Sequence, residues 1–187
     1  MTILVALLCD TGVWVGSDGR ISDGQLRVSD SYVKWRSTKK GIWWGAAGYA
    51  RIFALADRHR RLLDEAVDPV DVGECLRKLV IDDGWKPEVK GDGPPNHQFN
   101  LIVANGTEIV TYNGDGSFVR FRTTGDFFAA GSGADYAFGA VSALRRYAEY
   151  SMAEDEDCDE IIESALTAAC DYDLRCGGEL FIEKVVA

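Results

Sequence analysis

Residues 2–19 read TILVALLCDTGVWVGSDG, and this stretch decides the fold. Two β-rich apolar runs, 2–8 and 13–17, flank Cys9-Asp10-Thr11-Gly12, a turn-forming cluster, so the segment is an antiparallel hairpin. Neither run alternates apolar with polar. Strands of that kind need cover on both faces. A tight turn centred on Asp10 and Thr11 pairs positions whose numbers sum to about 20 or 21, which sets Thr2 opposite or beside Asp18.

Working outward, the Gly, Asp and Ser punctuation of 19–31 leads into two expected strands, 31–36 and 41–49, around a Lys39-Lys40 turn. Apolar residues from Ile52 to Ala66 recur at helical spacing, which predicts one helix over 50–67. Asp68-Pro69 starts a second helix over 70–82. Residues 84–98, with three prolines and three glycines, form an exposed connecting loop. Strands resume at 99–104, 108–112 and 117–122, joined by Asn105-Gly106 and by Asn113-Gly114-Asp115-Gly116. A strand at 127–130, a Gly131-Ser132-Gly133 break, a helix over 135–150, an acidic connector at 153–159, a helix to 171 and a strand at 179–185 complete the chain. Apolar sheets and long helices in this order cover one another as a four-layer αββα sandwich, read as a single domain over 1–187.

Composition limits the function. The chain has 187 residues, 47% of them hydrophobic, enough for one substantial core. Its formal net charge of −10, with no compensating Lys/Arg run, repels phosphate backbones and anionic lipid, so neither nucleic acid nor membrane is an expected partner. There is no apolar run of membrane-spanning length and no secretory leader pattern, which predicts a cytoplasmic protein. Five cysteines without a CxxC pair predict reduced thiols, no disulfide framework and no metal site.

Chemistry gathers where the hairpin ends. Removal of Met1 would leave Thr2 with a hydroxyl and a free α-amine on one residue, and that amine, with an ordinary pKa near ~8, serves as a base for the hydroxyl proton. Lys34, expected on a later strand, lowers the amine pKa and stabilises developing negative charge, while Asp18 holds the lysine. Each residue alone also fits an ordinary role: a strand threonine, an Asp-Gly turn and a solvated lysine.

Thr2-Ile3-Leu4-Val5, Gly16-Ser17-Asp18-Gly19-Arg20, Val33-Lys34 and Gly45-Ala46-Ala47-Gly48 resemble the successive motifs of proteasome β subunits and bacterial HslV, which are N-terminal nucleophile hydrolases. The resemblance runs from Thr2 through Val185 and implies the same αββα fold and a threonine peptidase activity. It implies Thr2 as nucleophile with Asp18 and Lys34 beside it, Gly48 as donor of an oxyanion-hole N–H, and Ala46 and Ala50 in the pocket for the side chain preceding the scissile bond. Ala130-Gly131-Ser132-Gly133 resembles the segment whose serine, here Ser132, supports the nucleophile's amine. Asp173-Leu174-Arg175-Cys176-Gly177-Gly178 resembles the aspartate turn of the family, with Asp173 in place and Cys176 where many members carry serine. Peptide or unfolded protein as substrate, a ring-type homo-oligomer and an ATP-driven unfoldase follow from the same resemblance, with no cofactor. Phe53 and Phe138 are candidates for the subunit interface.

Two other functions stay open at this stage. A catalytically silent scaffold acting by self-assembly or partner binding has the same fold, and so does an amidohydrolase acting on small amides. His59, on an Arg-rich helix face, and His97, in the proline loop, stand in no pairing context with Cys176, so a cysteine nucleophile is not expected.

Overall fold

The structure, a computed structural model, describes residues 2–23, 26–86, 99–147 and 155–186. The opening hairpin is β1 (Ile3–Cys9) and β2 (Gly12–Asp18), paired from Leu4↔Ser17 to Cys9↔Gly12. That register places Asp18 at the same end of the sheet as Thr2.

The stretch read as punctuated turn contains a short ribbon, β3 (Ile21–Asp23) with β4 (Leu26–Ser29). The two strands expected next are shorter than their apolar patterns: β5 (Trp35–Ser37) and β6 (Trp43–Ala47). Lys34 therefore precedes its strand instead of lying on it. The reason is where the backbone before it bonds, since Tyr32 N–H donates to Gly19 O and Asp30 O accepts from Glu179 N–H, tying this segment to two loops and away from a ladder.

The single helix expected over 50–67 is two, α1 (Arg51–Arg58) and α2 (Arg60–Glu65), broken at His59 with φ −110° and ψ 24°. α1 buries Ile52, Phe53, Leu55 and Ala56, whereas α2 buries Leu63, so the apolar stripe continues in sequence but turns in space. α3 (Pro69–Asp82) starts as its Asp-Pro signal requires: Val70 N–H donates to Asp68 Oδ1 at 2.7 Å and Asp68 N–H to Asp71 Oδ2 at 3.2 Å. Of the connecting loop expected over 84–98, residues 87–98, including His97, lie outside the described residues.

A meander follows, β7 (Asn100–Ala104), β8 (Ile109–Asn113) and β9 (Phe118–Phe121), then β10 (Phe127–Gly131) and α4 (Ala134–Tyr147). The last three residues of the helix expected over 135–150 are outside the described residues. α5 (Asp155–Tyr172) begins inside the acidic segment taken for a connector, because carboxylates in a first helical turn complement the helix dipole, and β11 (Leu180–Val185) closes the chain.

One sheet runs β10-β1-β2-β11 and the other β5-β6-β7-β8-β9, all pairs antiparallel. Three apolar layers explain why β1 is greasy at every position. Its odd residues Ile3, Val5 and Leu7 pack with Ile161, Ile162, Ala165 and Leu166 of α5. Its even residues Leu4, Ala6 and Leu8 pack with Trp35, Ile102 and Ile109 of the other sheet. Beyond that sheet, Trp44, Leu101 and Tyr112 meet α1 and α3. The protein is the four-layer αββα sandwich.

Two expectations fail here. Cys9 and Cys158 form a disulfide that ties the end of β1 to α5, because alternation on β1 turns Cys9 toward the helix layer with Ile3, Val5 and Leu7. Phe53 is buried against Trp44 and Tyr32, so it is core and offers no interface, while Phe138 remains 39% exposed. No helix among the described residues is long and apolar enough to cross a membrane.

Candidate active site

Asp18 ends β2 with a fully buried side chain, and a buried carboxylate survives only when donors surround it. Its Oδ1 accepts from Thr2 Oγ1 and from Ile3 N–H, each at 2.9 Å, and from the Lys34 ammonium. Its Oδ2 accepts from Gly177 N–H at 3.1 Å. The strand register supplies Thr2 and Ile3; the backbone route through 30–34 delivers Lys34. Trp35, next in sequence, fixes that delivery by donating its indole N–H to Gly16 O at 3.0 Å.

Burial pushes the Lys34 ammonium below its ordinary pKa, and the Asp18 charge and hydrogen bond recover only part of the loss. The lysine is a closely held cation beside a threonine hydroxyl. Thr2 itself is backed by Gly131, whose φ of +111° and closeness to Thr2 leave no room for a side chain: a Cβ there would lie 2.0 Å from Thr2 O.

Gly48 follows β6 with φ +105°, a conformation that L side chains rarely adopt, and it borders two cavities that share Thr2. The first is lined by Ile21, Tyr32, Lys34, Ala46, Ala50 and Phe53. Its floor is aromatic. Tyr32 and Phe53 meet edge to face at 5.8 Å, and the Arg36 guanidinium lies 5.3 and 5.4 Å from the two ring centres. The second cavity is lined by Ala47, Asn100, Ala129, Ala130, Gly131, Ser132 and Ala134.

Asp173, Ser132 and Cys176 come together in one cluster. The thiol donates to Asp173 Oδ2 at 3.5 Å, and Ser132 Oγ lies 3.8 Å from Cys176 Sγ. Asp173 Oδ1 also accepts from Arg175 N–H at 3.1 Å and Arg175 Nε at 3.0 Å. Burial pushes the Asp173 carboxyl up, but hydrogen bonds from Ser132 and Arg175 outweigh it and hold the pKa at about 2. For Cys176, burial first and the Asp18 charge second push the thiol up to about 12, so it is a neutral donor and no nucleophile. Among the described residues, Ser132 meets Thr2 as a wall of the second cavity, and Asp173 lies one step further out, bonded to Ser132 and Cys176.

Arg20 is the residue that sequence reasoning missed. Its Nη1 donates to Cys176 O at 2.6 Å and Leu174 O at 3.1 Å, its Nε to Asp30 Oδ1 at 3.2 Å, and its backbone N–H to Gly177 O at 2.8 Å. It thereby holds the turn that brings Gly177 N–H to Asp18. Arg20 stands in the Gly16–Arg20 motif, but partners more than 150 positions away gave it no local signal. His59 sits at the α1–α2 break, away from both cavities.

No protein-family model matches the chain. It is 27% identical to the ATP-dependent protease subunit HslV of Amoebophilus asiaticus, over 98% of this chain and 96% of that protein. It is also 27% identical to the proteasome subunit beta type-9 of Oncorhynchus mykiss, over 98% of this chain and 82% of that one. Among solved structures, Thiobacillus denitrificans BPH in complex with epoxomicin matches with a TM-score of 0.75 at 18% identity, over 99% of this chain and 100% of that chain. That likeness shows the fold.

Proposed function

We propose that this homologue of HslV and the proteasome β subunits is a threonine-type endopeptidase whose nucleophile is Thr2 once Met1 has been removed. The observation that carries the reading is the convergence of the Thr2 hydroxyl, the Asp18 carboxylate and the Lys34 ammonium beside Gly48, where two cavities meet.

In this mechanism the free α-amine of Thr2 takes the hydroxyl proton and Oγ1 attacks the peptide carbonyl carbon. The carbonyl oxygen becomes an oxyanion, received by Gly48 N–H. The C–N bond then breaks, the proton passes from the amine to the leaving nitrogen, and water hydrolyses the remaining ester. Lys34 favours the neutral amine and steadies negative charge; Asp18 keeps Lys34 in place. Ser132 supports the amine, with Asp173 and Cys176 orienting Ser132. Ala46 and Ala50, beside Tyr32 and Phe53, receive an apolar side chain on the acyl side in preference to Asp or Glu, the Lys34 charge in the same lining being already paired with Asp18. The whole chain acts as one cytoplasmic domain in a ring-type homo-oligomer, with peptides or unfolded proteins fed by an ATP-driven unfoldase.

The test compares a form made with Thr2 first, through a cleavable leader, with a form that retains Met1, using a peptide library and a threonine-directed electrophile. Cleavage and N-terminal labelling confined to the Thr2-first form are expected. Two folded, equally inert forms would favour the silent scaffold; equal activity in both would remove Thr2 as the nucleophile.

A further inference from the structure

The two cavities flanking Thr2 differ in their walls. The acyl-side cavity is closed by large side chains, Ile21, Tyr32 and Phe53, and these fix the size of what enters. The opposite cavity is walled by Ala47, Ala129, Ala130, Gly131 and Ala134, with Asn100 at its rim. The small walls have structural causes. Gly131 has no room for a Cβ beside the Thr2 carbonyl, and Ala129 and Ala130 are buried in β10, paired with Val5 and Leu4 of β1. Asn100 is held from the side, its Nδ2 donating to Asn113 Oδ1 at 3.0 Å, which leaves Oδ1 as the acceptor for an incoming N–H.

Resting on the peptidase reading above, we propose that this second cavity is an amine-side subsite: it holds the residue that follows the scissile bond, accepts bulky apolar side chains there, and owes that tolerance to Ala134. A peptide with its acyl side chain over Phe53 and its carbonyl at Gly48 leaves its departing amine on the other flank of Thr2, and the Ala-lined cavity occupies that flank. Ala134 opens α4 at the edge of the helix-layer core and is only partly buried, so a larger residue there, unlike at the buried Ala129 and Ala130, has an open side to extend into. An apolar side chain in the cavity removes its own surface from water and covers the alanine methyls.

The subsite can be read separately from bond cleavage by running the second half of the reaction with an amine in place of water. A peptide methyl ester acylates Thr2: the Oγ1–carbonyl bond forms, the ester C–O bond breaks, and methanol leaves with the proton. An added amino-acid amide then attacks the acyl-enzyme: a C–N bond forms, the C–Oγ1 bond breaks, and a proton from the amine returns to Thr2. Glycinamide and leucinamide compete with water, and mass spectrometry measures transfer product against acid. Leucinamide is expected to capture about tenfold better than glycinamide, the discrimination an apolar side chain commonly gives. Ala134→Leu should bring that ratio close to one, and Ala50→Leu should change the preferred acyl residue with little effect on the ratio. Asn100→Leu, on the opposite rim, is the second narrowing variant should Ala134→Leu fail to fold.

Equal capture of the two amides by the unmodified protein, or a capture ratio untouched by both narrowing variants, overturns the subsite while leaving a peptidase in place. A folded Thr2-first protein that forms no acyl adduct with the ester overturns the peptidase reading and the subsite together.

Discussion

The two carboxylates of the site are held by different means. Around Asp18 the contacts are oxygen and nitrogen donors, three of them at 2.9–3.1 Å, and two of those come from Thr2 and Ile3, at the head of β1, through the hairpin register. Around Asp173 the links to the rest of the site run through the Cys176 sulfur, at 3.5 and 3.8 Å, and through a hydrogen bond from Ser132, on a turn that Arg20 holds from the far end of the chain. Strand pairing fixes Thr2, Ile3 and Asp18 in the first group, with Gly177 added from the turn; the second group depends wholly on that turn closing correctly. The Asp18 half should therefore be intolerant of change, and the Asp173 half adjustable.

The sharpest way to break this contrast is Lys34→Ala. Loss of the ammonium raises the Thr2 amine pKa and removes charge stabilisation at the oxyanion, with an expected loss in kcat on the order of 10²–10³. The fold should persist, because Asp18 keeps three donors, Thr2 Oγ1, Ile3 N–H and Gly177 N–H. Steady-state kinetics beside a thermal melt checks both statements. A near-normal rate would end the mechanism.

The next effect is on stability and bears on what joins the halves. Cys9 closes β1, whose first end carries Thr2, and Cys158 lies in α5, whose last turn leads to Asp173. Joining residues 149 positions apart restrains the unfolded chain strongly, so Cys9→Ala should lower unfolding free energy by about 2–4 kcal/mol. Denaturant unfolding with and without reductant measures it. Reductant should reproduce the loss in the unmodified protein and do nothing further to Cys9→Ala; an equal effect on both would mean the bridge is not the source.

How much of this was legible in sequence follows the same divide. The unbroken apolar runs of 2–8 and 13–17 disclosed a doubly covered hairpin, and its turn disclosed the nearness of Thr2 and Asp18, because both depend on local pairing. Lys34 was legible as a residue but not as a coil segment, since its backbone partners, Gly19 and Glu179, stand in separate loops. The Cys9–Cys158 bridge and the Arg20 brace join positions that no periodicity relates. The break at His59 has neither Gly nor Pro to signal it, and apolar spacing alone reads through it.

Asp173 offers a smaller test on the adjustable side. Its carboxyl titrates at about 2 when folded against 3.8 when free, so between those values the unfolded chain binds more protons. Its stabilisation is complete above the free value and is lost as pH falls through about 2. The shift corresponds to about 2 kcal/mol. Asp173→Asn should be less stable near neutrality and lose less between pH ~4 and ~2 in denaturant unfolding. Parallel curves for the two proteins would show that Asp173 gains nothing from its partners.

Cys176 carries the smallest expected effect and the finest distinction. Its thiol donates to Asp173, and the Ser132 proton is drawn inward to the same carboxylate and thiol, which in the proposed mechanism leaves the Ser132 oxygen to accept from the Thr2 amine. A valine in its place fills the buried site with a slightly larger apolar side chain and removes the donor. Ser132 then loses one of its two restraints, and kcat should fall by about tenfold, the worth of one hydrogen bond, with KM little changed. Cys176→Ser restores a donor, and a stronger one, on a shorter bond that the turn must close in to use. If that turn is adjustable, the serine variant matches or exceeds the unmodified rate and shifts the alkaline limb of the kcat profile relative to valine, since a steadier Ser132 changes the titration of the Thr2 amine. Alkylation by iodoacetamide supplies the control: a buried thiol with a pKa of about 12 should stay unmodified until the protein unfolds. Equal rates and equal pH profiles for valine and serine would reduce Cys176 to filler, and the second carboxylate would then work without it.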